Sequence, residues 1–237
     1  MLLDDLKFPR GNLDPDKLVG RASWLGEVPL RAPTATRLGI RRLSRRALPV
    51  DTIELARYLL GKVLVRDIDE GRMSGRIVET EAYVIGDDAG HAFHGPTARN
   101  RALYLAPGHA YVYFIYGSSY MMNVASEPPG IGAGVLLRAL EPLEGIDLMK
   151  RGRESRPTIQ LTNGPGRLTS ALQIDRRSDG IDLCQDNRLW LGALTTERYQ
   201  SPVGKSVRIG VTRAAHCELR FYERGNPFVS GPKRLRN

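Results

Sequence analysis

The stretch KVLVRDIDEGRMSGRIVETEAYV, residues 62–84, decides the fold. Its two ends, KVLVRDI (62–68) and RIVETEAYV (76–84), carry β-branched residues in strand-length runs. The acidic and Gly residues at 69–71 supply the turn between them. Two strands joined so closely must run antiparallel. Upstream, Asp51 and Glu54 have the spacing of a capping box. Ile53, Ala56, Leu59 and Leu60 then form an apolar stripe at helical spacing, and Gly61 can end that helix. Downstream, HAYVYFIYG (109–117), YMMNVAS (120–126), GVLLRALEPL (134–143), VRIGVTR (207–213) and ELRFYERG (218–225) read as further strands. Short helical patterns fall near 144–153 and 165–173. Strands linked mostly by hairpins, with a few helices, predict an α+β fold: a single mixed domain with a curved antiparallel sheet and flanking helices. The domain is expected to span 49–237, behind a partly basic N-terminal extension at 1–48.

The chain of 237 residues is long enough to bury a sizeable core. Its net charge of +9 favours an anionic partner, nucleic acid ahead of a membrane surface, although a merely soluble basic protein has the same balance. The segment RLGIRRLSRR (37–46) holds five arginines and no acid. It reads as a phosphate-contacting arm, a localisation signal or a solvated basic linker. Cys184 and Cys217 lie far apart and outside any CxxC, so they indicate neither a zinc site nor a disulfide framework. No run approaches the ~18 apolar residues of a membrane span. The N-terminus, MLLDDLKFPR, lacks the apolar stretch of a signal peptide. A location inside the cell is expected, in the cytoplasm or nucleoid of a bacterium or the nucleus of a eukaryote, with no membrane partner.

Three groups of residues carry candidate chemistry. Glu79, Glu81 and Tyr83 alternate along one strand and share a face. Two carboxylates amid apolar residues read either as a general base with its surroundings or as a solvated outer face. Tyr111, Tyr113, Tyr116 and Tyr120 form an aromatic run that, with Tyr83 and His91, could wall a slot for a flat ring; a cross-strand aromatic ladder has the same spacing. Asn123 and Arg138 stand on successive strands, and their side chains suit base edges and anions respectively. His91 and His94 beside Asp87 and Asp88 raise a rival reading, a metal-dependent hydrolase. Asn163-Gly164-Pro165-Gly166-Arg167 opens a helix and offers at most a phosphate contact. By themselves these features define little more than a basic α+β protein.

The stretches LARYLLGKVLVRD, GRIVETEAY, PTARNRALYLAPGHAYVYFIYG, MMN, GVLLRALEPLEG, NGPGRL and LRFYERGNPFVS change that. In this order, from about Pro49 to Ser230, the chain resembles the alkyladenine (3-methyladenine) DNA glycosylase family. The resemblance implies that Glu81 activates the attacking water, that Arg138 helps hold that water, and that the backbone near Ile209 is a third contact. It implies that Tyr83, His91 and Tyr113 wall a pocket for a flipped base, that Tyr116 fills the gap left in the duplex, and that Asn123 disfavours guanine. It further implies double-stranded DNA as partner, a monomer, no cofactor or metal, and a monofunctional enzyme that leaves an abasic site. The segment from Tyr83 to His91 is one residue shorter than in some relatives. Ser118 and Ser119 are smaller than their counterparts. A non-catalytic damaged-DNA-binding protein is the alternative reading.

Overall fold

The hairpin at 62–84 lies at the centre of the sheet. A computed structural model describes residues 38–196 and 201–235. They fall in one unit, Leu38–Asn237. Its strands are β1 (Ile40–Arg42), β2 (Val63–Ile68), β3 (Gly71–Tyr83), β4 (Ala110–Ile115), β5 (Ser119–Ala125), β6 (Gly134–Glu144), β7 (Leu189–Leu194), β8 (Val203–Ser206) and β9 (Arg220–Glu223). The helices are α1 (Thr52–Leu59), α2 (Ile146–Lys150), α3 (Ile159–Thr162) and α4 (Pro165–Ala171). The sheet runs β1-β7-β2-β3-β6-β5-β4, with β9 added to β3 and β8 to β9. Each of these pairings is antiparallel. The α+β expectation therefore holds, with helices packed on a large antiparallel sheet.

β3 is the spine. Its first half pairs with β2, its second half with β9, and β6 runs along the other edge. The β3–β6 register shifts on both sides of Glu79. Such a bulge bends a strand and re-aims its side chains. Here it lets Glu79 and Glu81 both reach Arg138 on β6.

α1 forms where the sequence placed it. Asp51 caps it by accepting from the Glu54 N–H at 2.8 Å. Gly61 follows with φ +76°, a left-handed stop that glycine adopts without Cβ strain. Leu55, Ala56 and Leu59 are fully buried against the sheet. The Thr80 hydroxyl donates to the Ala56 carbonyl at 2.9 Å and ties the helix to β3. Met149 of α2, Leu161 of α3, and Leu168 and Ala171 of α4 join the same core.

Two expectations need correction. VRIGVTR (207–213) is an irregular loop, not a strand. Arg208 turns inward to Asp87 and to the Ala82 carbonyl, while the Ile209 N–H is spent on Glu81. Its strand-like alternation therefore reflects a buried cation, not a sheet face. The fold also starts ahead of residue 49. β1 pairs with β7, and Leu43 and Leu48 sit in the core. Within the basic run, Arg42 stacks on Trp190 at 4.6 Å, and Arg45 is bound to Pro107, Asp182 and His109. These two are fastened to the domain, while Arg41 and Arg46 are exposed. The rest of the expected extension, residues 1–37, lies outside the described residues. Among the described residues no helix is long and apolar enough to cross a membrane.

Candidate active site

Glu81 has no solvent exposure, and its carboxylate has three partners. Oε1 accepts from the Ile209 N–H at 2.7 Å and lies 3.1 Å from Nη1 of Arg138. Oε2 accepts from the Tyr83 hydroxyl at 3.1 Å. A buried carboxylate without such partners would be costly. A carboxylate has about four acceptor positions, so these contacts leave room for about one more donor, such as a water.

The three partners line a cavity of about 340 Å³. Tyr83, His91, Tyr113 and Asn123 also face it, and Tyr116 stands at its rim. The structure thus brings together every residue that the resemblance picked out. The tyrosines are set by strand pairing. Tyr111 and Tyr113 lie two apart on β4 and stack at 5.1 Å. His91, in the loop after β3, sits edge-on to Tyr113 at 4.4 Å, and its Nδ1 is 2.8 Å from the Tyr111 hydroxyl. Burial, with help from the nearby Arg99 cation, lowers the His91 pKa, which favours a neutral imidazole. Burial and then the Glu81 charge push the Tyr83 phenol well above its ordinary range, so it remains a donor. Arg208 lies over the Tyr83 ring at 4.6 Å. Asn123 is 6% exposed, opposite Tyr111 in the β4–β5 register.

Tyr116 is different in kind. It sits at the β4–β5 turn with φ +56°, and it is 76% exposed. A large aromatic residue in the left-handed region is strained, and in solvent its apolar ring is left unburied; such strain collects at functional sites.

A second groove, of about 810 Å³, adjoins the cavity. The two share Met121, Arg138, Pro165 and Ile209. The groove passes Ser118 and Ser119 and is lined by Arg153, Arg156, Arg167 and Arg177. Its acid, Asp175, is held by Arg177 at 2.7 Å.

Two of the four residues of the metal reading, Asp87 and His91, are committed elsewhere, and Asp88 is exposed. Asp87 is clamped by Arg208, and His91 by Tyr111. His94 packs edge-on to Phe93 at 4.9 Å. Among the described residues no three ligating side chains come together to hold a metal ion.

Arg208, Arg220 and Ser230 brace the site, and sequence reasoning did not single them out. Their sequence signal was weak, because arginine is ordinarily a surface residue.

A held carboxylate beside a slot for a flat ring is the layout of a base-excising hydrolase, and comparison with known proteins specifies which. The model of the family "Methylpurine-DNA glycosylase (MPG)" matches residues 46–227. A protein of Mesorhizobium japonicum is 58% identical over 193 residues, covering 81% of this chain and 92% of its own. A protein of Paraburkholderia phytofirmans is 53% identical, covering 84% and 92%. One from Chlorobium phaeobacteroides is 44% identical, covering 77% and 92%. All three are named as 3-methyladenine DNA glycosylases. The chain belongs to the methylpurine-DNA glycosylase family, and it is a DNA glycosylase of DNA repair.

Proposed function

We propose that the protein flips alkylated or deaminated purines of the 3-methyladenine type out of duplex DNA and hydrolyses the N-glycosidic bond, leaving an abasic site. The observation that carries this reading is the Glu81 carboxylate, buried and fixed by Arg138, Ile209 and Tyr83, which line an aromatic cavity.

A glycosidic bond inside a stacked duplex is out of reach, so the nucleotide must leave the helix. Tyr116 fills the space it vacates. An electron-poor alkylated ring stacks between Tyr83, His91 and Tyr113. Its positive charge weakens the bond to the sugar, and the base departs without being protonated. The Glu81 carboxylate takes a proton from water as the water attacks the sugar carbon. The bonding electrons leave with the base. Asn123 meets the base edge and disfavours the exocyclic amino group of guanine. The arginine groove tracks the sugar–phosphate backbone beside the cavity, because phosphate contacts hold a duplex without reading sequence. Among the described residues no lysine lines the cavity, which supports a monofunctional enzyme. The reading needs one copy of the chain and no cofactor, and it places the protein with the cell's DNA. The domain of this activity begins at residue 38 or so, where the sheet begins.

The test is release of free 3-methyladenine from alkylated duplex DNA in EDTA, by the wild type and by Glu81→Gln. Release by the wild type alone is expected, with a loss of roughly 10²–10⁴-fold in the variant. Release by both would place the base on another residue, and release by neither would overturn the substrate class.

A further inference from the structure

Glu79 stands two residues from Glu81 and is equally without solvent exposure. Both carboxylates share one guanidinium. Arg138 donates from Nε to Glu79 Oε1 at 2.9 Å, while its Nη1 lies 3.1 Å from Glu81 Oε1. Its Nη2 donates to the Ser230 hydroxyl at 3.2 Å. Glu79 has further partners. Oε1 also accepts from Nε of Arg220 at 2.6 Å, and Oε2 accepts from the Ser230 N–H at 2.6 Å. Arg220 is itself tied to the Ser206 hydroxyl and to the carbonyls of Ser230 and Leu235. Two carboxylates and two guanidiniums thus form one buried, charge-balanced cluster.

We infer that Glu79 is a positioning residue for the reaction, fixing the plane of the Arg138 guanidinium so that its Nη1 is held on Glu81, and balancing that cation with a second anion. This inference rests on the reading of Glu81 as general base. The geometry carries it in two ways. A guanidinium is planar, so a bond from Nε to Glu79 and another from Nη2 to Ser230 leave Nη1 one direction, toward Glu81. The same cation divided between two anions lowers the basicity of each less than it would alone. The groups facing Glu79 are Arg138 from β6, Arg220 from β9 and Ser230 from the segment after β9. Those around Glu81 are Arg138, Tyr83, Tyr113 and Arg208. Burial raises the Glu79 pKa, but Arg138, Arg220 and the Ser230 N–H outweigh burial and lower it overall, so Glu79 is present as an anion.

The experiment is single-turnover base release from alkylated duplex across pH, with the wild type, Glu79→Gln and Glu79→Asp, alongside lesion-DNA binding and thermal melting. Glu79→Gln keeps the shape and removes the charge. At neutral pH its rate is expected to fall at least about tenfold, with binding unchanged. The acid limb of its pH–rate profile is expected to move to lower pH, because a neighbouring anion is gone and Arg138 then acts on Glu81 alone. A purely structural role would lower the melting temperature and the rate without moving that limb, so a slow variant with an unmoved limb overturns the inference. If Glu79→Gln does not fold, Glu79→Asp decides, under the same measurements. It keeps the charge but draws the carboxylate back from Nε of Arg138, and a roughly threefold slower release at unchanged binding is expected. A wild-type rate in Glu79→Asp then overturns the inference. No release by the wild type would defeat the base-excision reading, and this inference with it.

Discussion

Behind the cavity and in front of it, the protein is built by opposite rules. Behind lie Glu79, Glu81, Arg138 and Arg220, at most 6% exposed, each held by several partners. In front lie Tyr116, 76% exposed on a strained turn, and the arginines of the groove, bound only to neighbours close in sequence where they are bound at all. The rear is pre-organised, as the proposed proton acceptor Glu81 would need if no rearrangement is to accompany bond breaking. The front keeps an aromatic ring and several cations at the surface, where the proposed reading puts the nucleic acid.

The comparison can be broken at either end. The largest expected effect is at the rear. Arg220→Leu leaves Glu79 with one cation fewer in a site without solvent, and a loss of about 3–5 kcal/mol in unfolding free energy is expected. Urea denaturation measures it, and a loss below about 1 kcal/mol would mean the cluster is not the rigid half. Tyr116→Ala should do the reverse. Its melting temperature should match the wild type, while its preference for lesion over undamaged duplex falls about tenfold, in keeping with roughly 1–3 kcal/mol per aromatic–base stack. A destabilised but fully discriminating variant would erase the division. The smallest effect is expected in the groove. Each of Arg156→Ala and Arg167→Ala should flatten the log–log salt dependence of duplex binding by about 0.9. An unchanged slope would take the backbone off this path.

Much of the sheet was legible in the sequence because its central strands are long and its turns are made of Gly and acidic residues. β2, β4, β5 and β6 fall within two residues of their expected bounds, while β3 begins at Gly71, five residues earlier than expected. β1 and β8 were not read, since three or four residues carry little periodicity, and β7 was not read either. The loop at 207–213 was misread for a physical reason. A buried arginine produces the alternation of a half-exposed strand, and only the fold reveals Asp87 waiting for it. The site was legible mainly through family resemblance. Local pattern put Glu79, Glu81 and Tyr83 on one face, but it could not supply Arg220, 141 residues beyond Glu79. Long-range ion pairs leave no local trace.

The bond from the Ser230 N–H to Glu79 spans 151 residues of chain. A ribosome adding 5–20 residues per second needs roughly 8–30 s to cover that span. Throughout that interval the nascent spine carries an anion whose last partner has not been translated. Completion of the buried cluster is therefore timed by translation: a chain stalled before residue 230 can pair its strands and still leave Glu79 without the Ser230 N–H.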